Sequence, residues 1–106
     1  MIAVVVPAFN EADRLRILLP RIPACLFGVP VQVIVVSDGS TDGTEAVALD
    51  HGAVLVGFPR NRGKGAALRA GFARAMELDL SLLVTMDADG QHDPADLAAG
   101  PARDGR

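Results

Sequence analysis

At 106 residues, half of them hydrophobic, the chain is long enough for one domain with a modest core and too apolar to remain disordered. A net charge of −3, with four Phe and neither Trp nor Tyr, excludes a general attraction for nucleic acid or anionic lipid and a stacking platform for single strands. The lone Cys25 excludes a disulfide framework or a cysteine-built zinc site within one chain, which suits a reducing compartment.

The elements follow in regular order. MIAVVVPAFNE has no positively charged leader and reaches Pro7 after a short apolar run, so it is not read as a signal peptide. Residues 2–6 are a continuous β-branched run, the pattern of a strand covered on both faces. Asn10 is placed to cap a helix, with Glu11 and Asp13 in its first turn and Leu15, Leu18, Leu19 and Ile22 at helical spacing. Pro20 and Pro23 end or kink it, and Cys25 is expected as a small apolar residue beside it. Residues 31–36 form the second strand. Ser40 or Thr41 opens a short helix that stops near Gly52. Residues 53–58 form the third strand. Residues 64–78 form the best helix, with Leu68, Phe72, Ala75 and Met76 on one stripe. Residues 80–86 form the fourth strand, and a last helix is expected from Pro94. No stretch is long enough to span a bilayer.

Strands alternating with helices imply an open parallel α/β sheet with helices on both faces. Right-handed crossovers favour the strand order 3-2-1-4. Ligands of such sheets bind at the carboxyl ends of the strands, near the point where the winding reverses. The four strands run into PAFNE (7–11), SDGSTDGT (37–44), PRNRGKG (59–65) and DADGQHD (87–93), so the unusual polar chemistry is expected on one rim.

Each segment has a plain reading beside a functional one. Glu11 suits a helix N-terminus, and Asp38 suits a residue holding a glycine-rich bend. DGSTDG is not a calcium loop, because its twelfth position is Leu49, where a bidentate glutamate belongs. GFPRNRGKG is not a phosphate loop, because it has one residue too many between glycines and Gly65 where Ser or Thr belongs. Arg62 and Lys64 are either phosphate contacts or solvated charges. His51 is read as surface. His92 is either a turn residue or part of the site. Asp87 and Asp89, one residue apart on a turn, repel each other unless a cation lies between them. Magnesium or manganese takes such hard oxygen ligands, and Gln91 offers a neutral third.

PAFNE, VIVVSDGSTDGT, NRGKGAALRAG and DADGQHDP, in this order, resemble the inverting family-two glycosyltransferases of the GT-A fold, Rossmann-like nucleotide-diphospho-sugar transferases. Within them the chain is most similar to enzymes that move a hexose to a polyprenyl phosphate, such as the dolichol-phosphate mannose synthase group. The resemblance covers residues 2–98. It implies that Pro7, Ala8, Asn10 and Glu11 line the nucleoside pocket, Glu11 near the ribose, and that Asp38 contacts the base. It implies that Arg62 and Lys64 lie near base or phosphate. It implies that Asp87 and Asp89 hold Mg2+ or Mn2+ on the diphosphate, with Gln91 as a further ligand. The donor is then a GDP- or UDP-hexose and the acceptor a polyprenyl phosphate.

Members of that family are about twice this length, so residues 1–106 are expected to be a single nucleotide-sugar-binding domain, incomplete at its C-terminus. The fourth strand is then an open apolar edge, and self-association is expected. The location expected is cytoplasmic, with a peripheral position at the cytoplasmic membrane face as the alternative. Two other readings compete: a nucleotide-binding module without turnover, and a phosphatase of the haloacid-dehalogenase type. The phosphatase nucleophile motif usually sits on the first strand, whereas DAD follows the fourth.

Overall fold

The computed structural model describes residues 1–88. Asp89, Gln91 and His92, and the helix expected from Pro94, lie outside the described residues. β1 (Ile2–Ala8) pairs in parallel with β3 (Val29–Asp38) on one side and with β5 (Leu82–Thr85) on the other. β4 (Val54–Phe58) pairs in parallel with β3. The parallel strands therefore run β4-β3-β1-β5, the 3-2-1-4 order expected.

β1 is apolar throughout because both of its faces are covered. Val4, Val6 and Ala8 pack with Leu15 and Leu18 of α1 (Ala12–Leu18) and Val47 and Ala48 of α2 (Thr44–Asp50). Ala3 and Val5 pack on the opposite face with Ala67 and Ala75 of α3 (Lys64–Ala75). The crossovers explain the split. Two right-handed connections step from β1 to β3 to β4, and the third returns past β1 to β5, so its helix lies on the other face. The reversal beside β1 leaves a crevice at the carboxyl ends of the strands.

Four local expectations need correction. Asn10 does not cap α1: it has φ 51°, the helix begins at Ala12, and Glu11 holds the cap position without a side-chain cap bond. α2 begins at Thr44 rather than at Ser40 or Thr41, because Gly43, at φ 91°, turns the chain into it. Met76 lies beyond the end of α3 and is 71% exposed. The buried stripe is Ala67, Gly71 and Ala75, four residues apart, with Leu68 and Phe72 packed alongside. A Cβ on Gly71 would sit 2.4 Å from Val5 Cγ1, so α3 lies on the sheet at a separation only small residues permit. Finally, Cys25 is exposed, in the two-residue β2 (Cys25–Leu26), which folds back antiparallel on Val29 and Pro30 through Phe27 and Gly28. The proline expectation holds: α1 ends at Leu18 and continues as one 3-10 turn, Leu19–Arg21, around Pro20.

Candidate active site

The loops after β1 and β3 are bound to each other. Asn10 N–H donates to Ser40 Oγ (3.0 Å), and Asn10 Oδ1 accepts from Thr41 N–H (2.8 Å). The free N–H groups at the start of α1 are met from the other loop: Glu11 N–H donates to Thr44 Oγ1 (3.0 Å) and Ala12 N–H to Asp42 Oδ2 (3.2 Å). Asp42 Oδ1 in turn accepts from the Thr44 hydroxyl and from Thr44 N–H (3.0 Å). These bonds hold the Asp42 carboxyl below its ordinary pKa, the Thr44 hydroxyl contributing most.

The loop after β4 is held by Asp38. Its Oδ1 accepts from Arg62 N–H (2.6 Å) and its Oδ2 from Gly63 N–H (3.0 Å). The carboxylate is buried, so these two charge-assisted bonds replace its lost hydration. Gly39 brings the two loops together. At φ +78° it occupies left-handed space, and a Cβ there would stand 2.3 Å from Asn61 N and 2.5 Å from the Arg60 carbonyl carbon. The last loop is tied in by an ion pair: Lys64 Nζ, at the start of α3, lies 2.6 Å from Asp87 Oδ1, just after β5.

These contacts enclose an open cavity of about 310 Å³, within the size range of small-molecule sites. Of the residues expected at the site, Pro7, Ala8, Glu11, Asp38, Lys64 and Asp87 line it. Asn10 and Arg62 do not: Asn10 spends its side chain on the β3 loop, and the Arg62 guanidinium lies 4.9 Å from the centre of the Phe58 ring. The wall also includes Phe9, Asn61, Gly63, Ala67 and Ala88, which the sequence reading missed. Phe9, Asn61, Gly63 and Ala88 fall inside the four segments singled out. Ala67 faces the site only because of how α3 lies on the sheet, and nothing in its sequence context signals that.

The electrostatics of the wall are specific. Glu11, Asp38 and Asp87 share the wall with Lys64, so carboxylates outnumber the ammonium. Asp38 is committed to its loop. Glu11 lies 3.6 Å from Arg14 Nε. Asp87 keeps 19% of its side chain exposed and offers hard oxygens, the donor type that magnesium and manganese prefer. Among the described residues no group of three His, Cys, Asp or Glu side chains is arranged to hold a metal ion. Asp87 is thus the one expected metal ligand within the described residues, and its position and chemistry fit that use.

An open α/β sheet in this strand order, with its polar loops gathered at the carboxyl rim beside the reversal, is the nucleotide-sugar transferase architecture of the GT-A type. Comparison with known proteins carries this to a family. Residues 3–99 match the model for glycosyl transferase family 2, and the chain belongs to that family. The polyprenol monophosphomannose synthase of Mycolicibacterium smegmatis is 39% identical over 102 residues, 90% of this chain and 37% of that protein. Glucosyl-3-phosphoglycerate synthase from Mycobacterium tuberculosis, solved with Mn2+, UDP and glucosyl-3-phosphoglycerate, superposes with a TM-score of 0.71 at 30% identity, over 92% of this chain and 37% of that one. The Pyrobaculum calidifontis mannosyltransferase, solved with GDP-mannose and Mn2+, gives 0.70 at 27%, over 92% and 30%. The chain thus spans less than two-fifths of the length of these relatives.

Proposed function

We propose that this chain is the donor-binding part of a metal-dependent glycosyltransferase. It binds a GDP- or UDP-hexose, and the enzyme transfers the hexose with inversion, to a polyprenyl phosphate. The observation that carries this is the shared cavity: loops from four strands bring Glu11, Asp38, Lys64 and Asp87 to one wall. Pro7, Ala8 and Glu11 line the nucleoside side, with Asp38 at the base, and Asn10 supports them from behind through its bond to Thr41. Arg62 acts through its backbone, which fixes Asp38. Asp87, with Asp89 and Gln91, would hold Mg2+ or Mn2+. The ion, when bound, supplies Lewis-acid stabilisation of the charge that develops on the departing diphosphate.

Lys64 contributes the positive charge of the chain itself on the same wall. A polyprenyl phosphate acceptor is already ionised and does not require a carboxylate base, unlike a sugar hydroxyl. The relatives support donor and metal: two solved structures hold Mn2+ with UDP or GDP-mannose, and the polyprenol relative carries its acceptor in its name. Residues 1–106 act as a single nucleotide-sugar-binding domain in this reading. No helix among the described residues is long and apolar enough to cross a membrane, and a cytoplasmic position, peripheral to the membrane, fits a lipid-linked acceptor.

Calorimetry with UDP and GDP, with and without Mn2+, tests the reading. Binding of one of them, strengthened by Mn2+ and stripped of that strengthening in Asp87→Ala/Asp89→Ala, is expected. No binding of either nucleotide refutes it, and binding without sugar transfer or donor hydrolysis by the whole enzyme leaves only a nucleotide-binding module. Self-association through β5 accompanies the proposal: among the described residues β5 pairs with β1 alone, and Leu82 is 45% exposed. A sedimentation coefficient independent of concentration would count against it.

A further inference from the structure

We propose that Lys64 is an exchangeable counter-ion: it neutralises Asp87 when no cation is bound, and shifts to the donor diphosphate when a divalent cation takes over that carboxylate. The inference rests on the donor-site reading above.

The ion pair is short and asymmetric. Nζ and Oδ1 are 2.6 Å apart, in direct contact and slightly inside the usual separation of an ammonium–carboxylate hydrogen bond. The Asp87 side chain is 19% exposed and the Lys64 side chain 61%. The carboxylate is therefore the fixed partner. The ammonium is the movable one, at the end of a flexible four-carbon stem. Without a cation nearby, Asp87 would add unbalanced charge to a wall that already carries Glu11 and Asp38. Lys64 supplies the balance.

A dication on Asp87 competes with Nζ for the same carboxylate charge and repels the ammonium. Lys64 therefore opposes the binding of a metal ion by itself. A nucleoside diphosphate reverses the balance, because it carries more negative charge than one dication neutralises. Rooted at the first residue of α3 and lining the same cavity, the displaced ammonium remains within the site and can turn to the phosphates. One side chain thus acts with opposite sign on two ligands. A lysine that merely braces the loop would affect both in the same direction.

Titration of Mn2+ alone, followed by water-proton relaxation, tests the first half on the full chain. Lys64→Met is expected to bind Mn2+ roughly fivefold tighter than the parent protein, the scale of a half-exposed ion pair. UDP and GDP titrations at saturating Mn2+ test the second half: the nucleotide that the parent binds is expected to bind Lys64→Met at least roughly fivefold more weakly. Lys64→Arg is expected to restore both values towards the parent. Lys64→Gln carries the same expectation as Lys64→Met should the latter lose its circular dichroism. Unchanged or weaker Mn2+ binding in the neutral variants overturns the exchange. That result leaves the donor-site reading standing, because nucleotide binding by the parent protein reports on it separately.

Discussion

Gly39→Ala probes the contact that sets the spacing of the site loops. Two costs are expected. The residue sits at φ +78°, and holding alanine in left-handed space costs about 1–2 kcal/mol. The new Cβ would also stand 2.3 Å from Asn61 N, where ordinary contact begins near 3.4 Å, so two stretches of backbone must part by about 1 Å. Forced repacking of this kind costs about 1–3 kcal/mol. The parting stretches the bonds from Arg62 N–H and Gly63 N–H to Asp38, at 2.6 and 3.0 Å, and so opens the cavity wall. Gly52→Ala is the control, because Gly52 has nearly the same φ, +76°, with nothing within 4 Å of its Cβ position. Urea unfolding of both variants should place Gly39→Ala about 1–3 kcal/mol below Gly52→Ala, the repacking cost alone. In a domain of this size each kcal/mol is a Tm difference of about 4–8 °C. Equal losses in the two variants, within about 0.5 kcal/mol, would refute the argument that the close approach, and not the backbone angle, holds the loops.

Three further outcomes follow from other contacts. Asp38→Asn turns one of the two acceptor positions into an amide donor facing a backbone N–H. It should cost about 1–3 kcal/mol in urea unfolding and weaken nucleotide binding, whereas a purely surface aspartate would show neither. Gly71→Ala gains about 1 kcal/mol of helix propensity but drives a methyl to 2.4 Å from the rigid Val5, so it should lower stability overall in thermal melts, by about 1 kcal/mol. The Asp42 carboxyl is held below its ordinary value of 3.8, so the folded state binds fewer protons there than the unfolded chain. Its contribution is complete above that value and is lost as pH falls through the lower, folded value. The stability gap between the parent protein and Asp42→Asn should therefore be at its full size from about pH 5 upwards and close on acidification below about pH 4, as read by denaturant unfolding at each pH.

The fold was readable because its main signals are local and repeated. Continuous β-branched runs such as residues 2–6 read as strands covered on both faces, and alternation with helices then leaves few strand orders. The convergence of loops followed from topology alone, which is why Pro7, Glu11, Asp38, Lys64 and Asp87 were found together. The errors lie where a partner distant in the chain decides. Asn10 looks like a cap, but the N–H groups it would serve are taken by Asp42 and Thr44, 30 and 33 residues from their donors. Met76 looked like part of a core stripe, but Gly71 packs so close to Val5 that the contact face turns towards the small residues. β2 was missed because two residues carry no periodicity and its turn places Phe27, an unusual residue for positive φ, at 53°.

The bonds from Glu11 and Ala12 to Thr44 and Asp42 have a consequence for how this region breathes. The first turn of α1 takes its acceptors from the bend ahead of α2, and that bend meets its Thr41 N–H only through Asn10 of the other loop, so unfastening one exposes the other. Amide protons at these two places, far apart in the chain, should exchange with solvent as one cooperative unit. The Glu11 side of the cavity then opens and shuts as a whole, and a peptide spanning only residues 1–22 should fray at the very helix end that the intact protein holds firm.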